Sequence, residues 1–384
     1  MRVSFIDSIN AIACDQWNSV AGTDYPFTRH EFLHALETSN ATRQKSGWQP
    51  QHIVVYDDDN DTAPVAVMPL YVKYHSYGEY VFDWSWADAY HRHGLDYYPK
   101  LVAAIPFTPA TGPRLCVKAG CNSADITGAV VEAMRQRAQQ LNASSIHILF
   151  PDNRACEQFQ QQGLQRRRGA QYHWFNEGFN SFDDFMASFS SRKRKNLKKE
   201  RLRITQQNLR LDIIEGEAIS PDIWRQFYYF YQLTYAKRSG HGGYLNQQFF
   251  ELIAASMAKH LVLVLAYAGD RAIAGALNFR DSDTLYGRYW GCTQEFDCLH
   301  FEACYYQGIE YCIANNLRRF DPGAQGEHKI QRGFTPVETC SNHWIAHPGF
   351  SAAIGEFLQR DNEAIQRYIQ QARQLLPFKK GQSG

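Results

Sequence analysis

No run of 18 apolar residues occurs in the 384-residue chain, so the sequence offers no membrane-spanning segment. The first ten residues include the acidic Asp7 and no uninterrupted apolar stretch, which does not read as a secretory signal. A CxxC pair is missing too. The nine cysteines (Cys14, Cys116, Cys121, Cys156, Cys292, Cys298, Cys304, Cys312 and Cys340) are an odd number at scattered spacing. That pattern reads as reduced thiols rather than a disulfide framework, and with the missing signal it points to the cytoplasm. An excess of one charge is absent: 40 Lys and Arg against 39 Asp and Glu leave +1, which excludes a protein that coats nucleic acid through global charge. Metal ligands are sparse. His91-Arg92-His93 comes nearest to a cluster but has no partner ligands at usable spacing, so no metal is expected. GxGxxG, GxxxxGK[ST] and GxSxG are all lacking, which argues against Rossmann hydride transfer, P-loop phosphoryl transfer and α/β-hydrolase chemistry.

The length suits two domains, and 44% hydrophobic with 21% charged residues is enough for packed cores. Gln51–Tyr56 and Ala63–Tyr74 are β-rich runs around the acidic turn Asp57-Asp58-Asp59-Asn60-Asp61, a hairpin pattern. Residues 82–113 are aromatic and polar without clean periodicity. Ser123–Leu141 reads as a helix and Ser145–Phe150 as a short strand. In the second half, Ser181 with Asp184 resembles a capping box, and Pro221–Lys237 and Asn246–Lys259 read as helices. Leu261–Tyr267 and Ala272–Phe279 form a hairpin around Gly269-Asp270, followed by a strand over Thr284–Trp290. Phe301, Cys304, Tyr305, Gly308, Ile309, Cys312 and Ile313 line one face of the strongest helix. Arg318–Phe320 is a short strand, and a last helix covers about Phe350–Leu375.

Both halves run hairpin, long helix, then a short strand ending in Phe with Asp and Pro: Phe150-Pro151-Asp152 and Phe320-Asp321-Pro322. This is a weak internal duplication. The expected domains are 1–170, with an aromatic insertion over 82–115, and 171–384, with a basic helix over 191–210. Hairpins followed by βα units make an α+β, mixed-sheet architecture rather than a doubly wound parallel one.

Three segments carry candidate chemistry. The first is Phe82-Asp83-Trp84-Ser85-Trp86-Ala87-Asp88-Ala89-Tyr90. It reads either as a folded loop or as a substrate wall in which Trp84, Trp86 and Tyr90 supply apolar area and Asp83 or Asp88 accepts a hydrogen bond from a substrate amine. The second spans Arg192–Arg210, with nine basic residues and one acid, Glu200; Lys195 and Lys199 lie within it. It is either a solvated basic helix or a helix that binds phosphates of a nucleotide-containing donor or of tRNA. No aromatic interrupts it, so base stacking is not indicated. The third is Gly323-Ala324-Gln325-Gly326-Glu327-His328-Lys329-Ile330-Gln331-Arg332-Gly333, after a strand. Glu327 or His328 is a candidate general base, because either can take a proton near neutral pH. Lys329 and Arg332 suit phosphate or oxyanion neutralisation. Arg288 is placed with the same catalytic set, and Tyr235, Lys237, Arg238 and His241–Tyr244 form a further substrate-type loop.

Taken together, Phe82–Tyr90, Pro106-Phe107-Thr108-Pro109-Ala110-Thr111-Gly112-Pro113-Arg114 and Gly323–Lys329 resemble the FemAB-like family of N-acyltransferases, and the resemblance spans about Phe5–Leu376. It implies two tandem GNAT (acyl-CoA N-acyltransferase) folds and transfer of an acyl or aminoacyl group to an amine. The place of a glycine-rich pyrophosphate loop reads Gln294-Glu295-Phe296-Asp297-Cys298-Leu299-His300-Phe301, without glycine. Acyl-CoA and aminoacyl-tRNA both stay open as donor co-substrates, with no permanently bound cofactor. A small-molecule or peptide amine is the expected acceptor. The alternative is a non-catalytic module that recognises tRNA or a cell-wall precursor. A thiol-dependent hydrolase using Cys292 or Cys340 has no local support.

Overall fold

The computed structural model describes residues 1–58, 62–240, 242–324 and 326–379. Asp59–Asp61 of the acidic turn, His241 and Gln325 lie outside the described residues, as does the side chain of the expected substrate residue Arg238. The chain divides into two compact units, Met1–Ala170 with Glu338–Arg367, and Gln171–Val337 with Tyr368–Gly384. The return of 338–367 to the first unit departs from the division at 1–170 and 171–384.

The first unit has two sheets. One has the order β1 (Arg2–Ile6), β3 (His52–Tyr56), β4 (Ala66–Met68), β7 (Cys116–Val117), all antiparallel. The other runs β15 (Thr335–Ile345), β8 (Ser145–Leu149), β6 (Lys100–Ala103), β5 (Tyr71–Lys73), β2 (Trp48–Pro50). Here Ser341–Ile345 pair antiparallel with Leu149–Ser145, which explains why the late segment belongs to this unit. β6 and β8 are parallel, and helix α4 (Ser123–Gln140) lies between them in sequence. Helices α1 (Cys14–Ala21), α2 (His30–Thr38) and α5 (Asn153–Gln161) complete this part of the chain. Ile126, Val130, Val131 and Met134 of α4 share a buried cluster with Ile53, Val55, Leu101 and Ile146. The expected single run over Ala63–Tyr74 is split between the two sheets around Pro69, which has no N–H to give a ladder. The aromatic segment holds a helix, α3 (Trp84–Arg92), whose Trp86 and Tyr90 pack with Tyr97, Ile345, Ile354 and Leu358. Its apolar pair at i, i+4 is too short a repeat to stand out in the sequence.

The second unit is built on a six-stranded sheet, β10 (Leu209–Glu215), β11 (Leu261–Ala268), β12 (Arg271–Arg280), β13 (Thr284–Cys292), β14 (Arg319–Asp321) and the end of β9 (Gln165–Phe175). Only β13 and β14 are parallel. The connection between them is α10 (Leu299–Phe301), a π-helical turn over Glu302–Tyr306, and α11 (Gln307–Ala314). A parallel pair linked through a helix, within otherwise antiparallel pairing, thus occurs in each unit. The preceding helices are α6 (Phe182–Ala187), α7 (Ser191–Gln206), α8 (Pro221–Ser239) and α9 (Gln247–Met257). Ser181 caps α6 by accepting from Asp184 N at 3.1 Å, as its spacing suggests. Ser220 caps α8, with Pro221 in its first turn. Arg210, read as the end of the basic helix, sits on β10 instead; the turn at Gln207-Asn208 ends α7 first. The long α12 (Pro348–Gln374) follows β15.

Candidate functional site

β13 pairs with β14 only through Thr284–Tyr286, opposite Arg319–Asp321. Pro322 follows Asp321 and ends the short strand. One residue later β13 is irregular: Asn278 faces Gly287 and Leu277 faces Tyr289, so Arg288 is an inserted β-bulge residue. A bulge re-aims its side chain, and Arg288 turns onto Asp321, with Nη2 2.7 Å from Oδ2 and Nη1 3.3 Å from Oδ1. Both side chains are buried. Burial opposes the Asp321 charge, but Arg288 outweighs it and holds the carboxyl well below the usual carboxylate range. His173 of β9 stands 3.7 Å from the same carboxylate, and burial lowers its pKa to about 4, so it is neutral there.

Lys329 borders this pair. Its Nζ donates to the Gly323 carbonyl at 2.6 Å and the side chain is buried, which brings its pKa down to about 8 despite Asp321. Glu327 and His328 are exposed. Glu327 accepts from the Tyr368 hydroxyl at 2.7 Å. His328 Nε2 lies 2.9 Å from the Tyr305 hydroxyl; although the residue reaches solvent, partial covering of its ring by Phe301 and Tyr305, with Arg332 and Lys329 nearby, lowers its pKa. Arg332 makes a two-point ion pair with Glu200 at 2.8 and 3.1 Å and stacks on Phe301 at 3.4 Å. Tyr306 donates to the same Glu200. The π-helical turn therefore offers successive tyrosines, Tyr305 to His328 and Tyr306 to Glu200; π-turns recur where side-chain direction matters. Lys329 and Arg332 differ from expectation. One is spent on a carbonyl and the other on Glu200, so they brace the 327–332 turn rather than present free charge to a phosphate.

At the far end of β13 lies a pocket of about 260 Å³ lined by Thr234 and Lys237 of α8, Trp290 and Cys292 of β13, the 294–296 loop, Leu299 and His300. Its wall depends on Gly291. A Cβ there would meet the backbone of Phe230 and Tyr231, so glycine alone lets α8 cross the strand this closely. The contact also lets the Thr234 hydroxyl accept from Cys292 N at 3.1 Å. Tyr235 packs at a tilt on Tyr231, with ring centres 4.7 Å apart, and lies 6.0 Å from Tyr244. Lys195 and Lys199 are exposed on α7, while Arg201 of that helix binds Glu302 and Glu310, and Gln207 after it exchanges two hydrogen bonds with the backbone of Asp297.

In the first unit, Asp83 is buried and takes hydrogen bonds from Lys100 and from Tyr97 at 2.7 Å. It is a partner of a buried lysine, not a surface acceptor for an amine. Trp86 packs on His343 at 5.0 Å and Tyr90 stacks on Phe350 at 4.0 Å, so both are core rather than wall. Trp84 is exposed, and Asp88 is exposed with an ion pair to Arg92. Asp321, His173, Glu200 and Tyr305 were not among the expected site residues. The Asp321-Pro322 pair at a strand end is the sequence signal for Asp321, and by itself it marks only a boundary. Among the described residues, no group of three His, Cys, Asp or Glu is placed to hold a metal, and no helix is long and apolar enough to cross a membrane.

The chain matches the FemAB-like family, described as "Peptidogalycan biosysnthesis/recognition", over residues 8–380. It belongs to that family. Its fold is α+β, two tandem GNAT folds. Among solved structures it is similar to FemX, at 13% identity over 92% of this chain and 100% of that one, with a TM-score of 0.54. It is also similar to the C-terminal domain of a putative lysylphosphatidylglycerol synthetase from Agrobacterium fabrum, at 8% identity over 90% and 95%, with a TM-score of 0.54. A tandem GNAT protein from the clavulanic acid pathway is 10% identical over 90% and 99%, with a TM-score of 0.48. No curated protein matches the chain. Family and fold together support an acyl- or aminoacyltransferase.

Proposed function

We propose that the FemAB-like chain is an N-acyltransferase whose chemistry resides in the second unit. The observation that carries this reading is the parting of β13 and β14 at Tyr286 and Asp321, with Arg288 bulged beside it and a pocket at the far end of the same strand. Strand backbone freed from a neighbour supplies N–H groups aimed at a donor carbonyl, where negative charge develops as an amine attacks. The donor's anionic portion sits in the pocket, on the Thr234 hydroxyl and the Lys237 ammonium, beside the first helical turn after Leu299, whose own N–H is bonded to the Phe296 carbonyl. His328 is the base we favour over Glu327. Its ring is 5.6 Å from Phe301 and 5.7 Å from Tyr305, one helical turn from the pocket residue His300. A lowered pKa keeps its imidazole neutral near pH 7 and able to take the amine proton. The Arg288–Asp321 pair holds the bulge in place. The donor is a CoA thioester or an aminoacyl-tRNA, and the acceptor a small-molecule or peptide amine.

The test is thermal shift of the full chain with acetyl-CoA, longer acyl-CoAs and charged tRNA, combined with mass spectrometry of co-purified ligand. One donor class should raise the melting temperature, and Thr234→Val with Lys237→Met should abolish that rise. If neither class binds and no acylated amine forms, the reading fails.

A further inference from the structure

The segment between β5 and α3, Tyr74–Asp83, has inverted polarity. Its charged and polar side chains Ser76, Glu79 and Asp83 are buried, while Tyr74, Tyr77 and Phe82 are exposed, as is Trp84 just after it. The cause lies beneath. Lys73 and Lys100 stand directly opposite each other in the β5–β6 register, and both are wholly buried. Burial, with Lys100 alongside, brings the Lys73 pKa down to about 6, while Glu79 and Asp83 hold the charge on Lys100. Lys100 Nζ binds Ser76 Oγ at 2.8 Å, Glu79 Oε2 at 2.9 Å and Asp83, and Lys73 Nζ donates to the Tyr77 carbonyl at 3.2 Å. Three inward anchors at positions 76, 79 and 83 leave the rings between them pointing to solvent.

Tyr77 is 56% exposed, Phe82 54% and Trp84 43%, and Tyr77 and Trp84 meet edge to face at 5.2 Å. A soluble surface gains nothing from such a group. The polar groups of the strap are consumed by the buried lysines, so few remain to bind the hydroxyls of a sugar. The charge flanking Tyr77 is positive, and the exposed Asp88 beyond Trp84 is paired with Arg92. Ser46 accepts from His75, whose ring lies 5.2 Å from Tyr77, and exposed Arg43 and Lys45 lie beside Ser46. Residues 41–56 contain no acid, and the one acid in 69–82, Glu79, is buried. Amphipathic rings with a cationic rim are the composition that settles at the headgroup level of an anionic bilayer.

We propose that the strap Tyr74–Trp84 is a peripheral docking surface for an anionic lipid bilayer, with Tyr77, Phe82 and Trp84 inserted at the interface and Arg43 and Lys45 on the headgroups. The proposal is independent of the acyl-transfer reading, since it concerns only the first unit. The experiment is co-sedimentation of the full chain with vesicles of phosphatidylglycerol and phosphatidylcholine, against phosphatidylcholine alone. Binding should favour the anionic vesicles and weaken with salt. The triple variant Tyr77→Ser, Phe82→Ser, Trp84→Ser should bind at least 10-fold more weakly with an unchanged circular dichroism spectrum, because the three rings are exposed. Arg43→Gln with Lys45→Gln should lose the preference for anionic lipid while keeping the fold. Failure of the wild-type chain to sediment with either vesicle overturns the proposal, as does equal binding by the triple variant. A dimer in analytical ultracentrifugation that the triple variant abolishes, without lipid binding, assigns the surface to a second copy and overturns it equally.

Discussion

Arg288 and Asp321 lie on neighbouring parallel strands, and their two-point ion pair closes the place where those strands part. Removing one partner leaves the other buried and uncompensated. Asp321→Asn should therefore cost about 3–5 kcal/mol of stability, read as a lower urea midpoint at pH 7. Because the folded pKa is depressed, the stabilisation is present above the ordinary aspartate value and is lost as pH falls through the lower folded value. The gap between wild type and variant should narrow in acid; a constant gap would argue that the pair does not titrate as a unit.

Lys329 acts in the same sense in a higher pH window. With a folded pKa of about 8, the unfolded chain holds a proton that the folded one has released between about pH 8 and the ordinary lysine value near 10.4. Stability should rise with pH across that window. Lys329→Met should flatten the rise in urea titrations at pH 7 to 10, and persistence of the same slope would remove the assignment.

His147 and His343 share a hydrogen bond between their Nδ1 atoms at 2.7 Å, both fully buried in the first unit. Burial lowers His147 to about 3 and His343 well below the ordinary value. The unfolded chain takes up protons first, so stability should fall as pH drops below about 6.5, by about 1.4 kcal/mol per pH unit for each histidine. Melting curves at pH 7, 6 and 5 check this. His343→Asn should halve the dependence; an unaltered slope would show that other groups carry it.

Gly291→Ala places a methyl group into the backbone of α8 at Phe230. The helix must move, at about 1–3 kcal/mol, and Thr234 and Lys237 move with it. Donor-induced thermal shift should drop more than the intrinsic melting temperature suggests. A full donor response in a stable variant would separate the pocket from the donor.

His328→Ala should leave the fold intact and lower turnover by about 10²–10⁴, the range of general base catalysis. Since burial and two cations lower its pKa, the acid limb of the rate profile should fall at a pH below the ordinary histidine value. Glu327→Gln should cost far less. The reverse order of effects would transfer the base role to Glu327.

The sequence by itself determined the elements whose signals are local. Ser181 and Ser220 cap their helices, the Gly269-Asp270 turn joins β11 to β12, and the apolar stripe from Phe301 to Ile313 marks the connection between β13 and β14. It also placed the dense charge of Glu327–Arg332 beside a strand end. What it could not decide is which of those charges is already spent. Glu200 is more than 100 residues from Arg332 and Tyr306, and His173 is as far from Asp321, so no spacing rule links them. The same holds for Asp83, whose sequence context suits a substrate amine but whose carboxylate is bound by Lys100, opposite Lys73 in the sheet. Pairing across the sheet fixes burial, and burial with partners fixes protonation. Only the tertiary structure brings those groups together, because a charge is neutralised by what lies within about 4 Å of it, not by its neighbours along the chain.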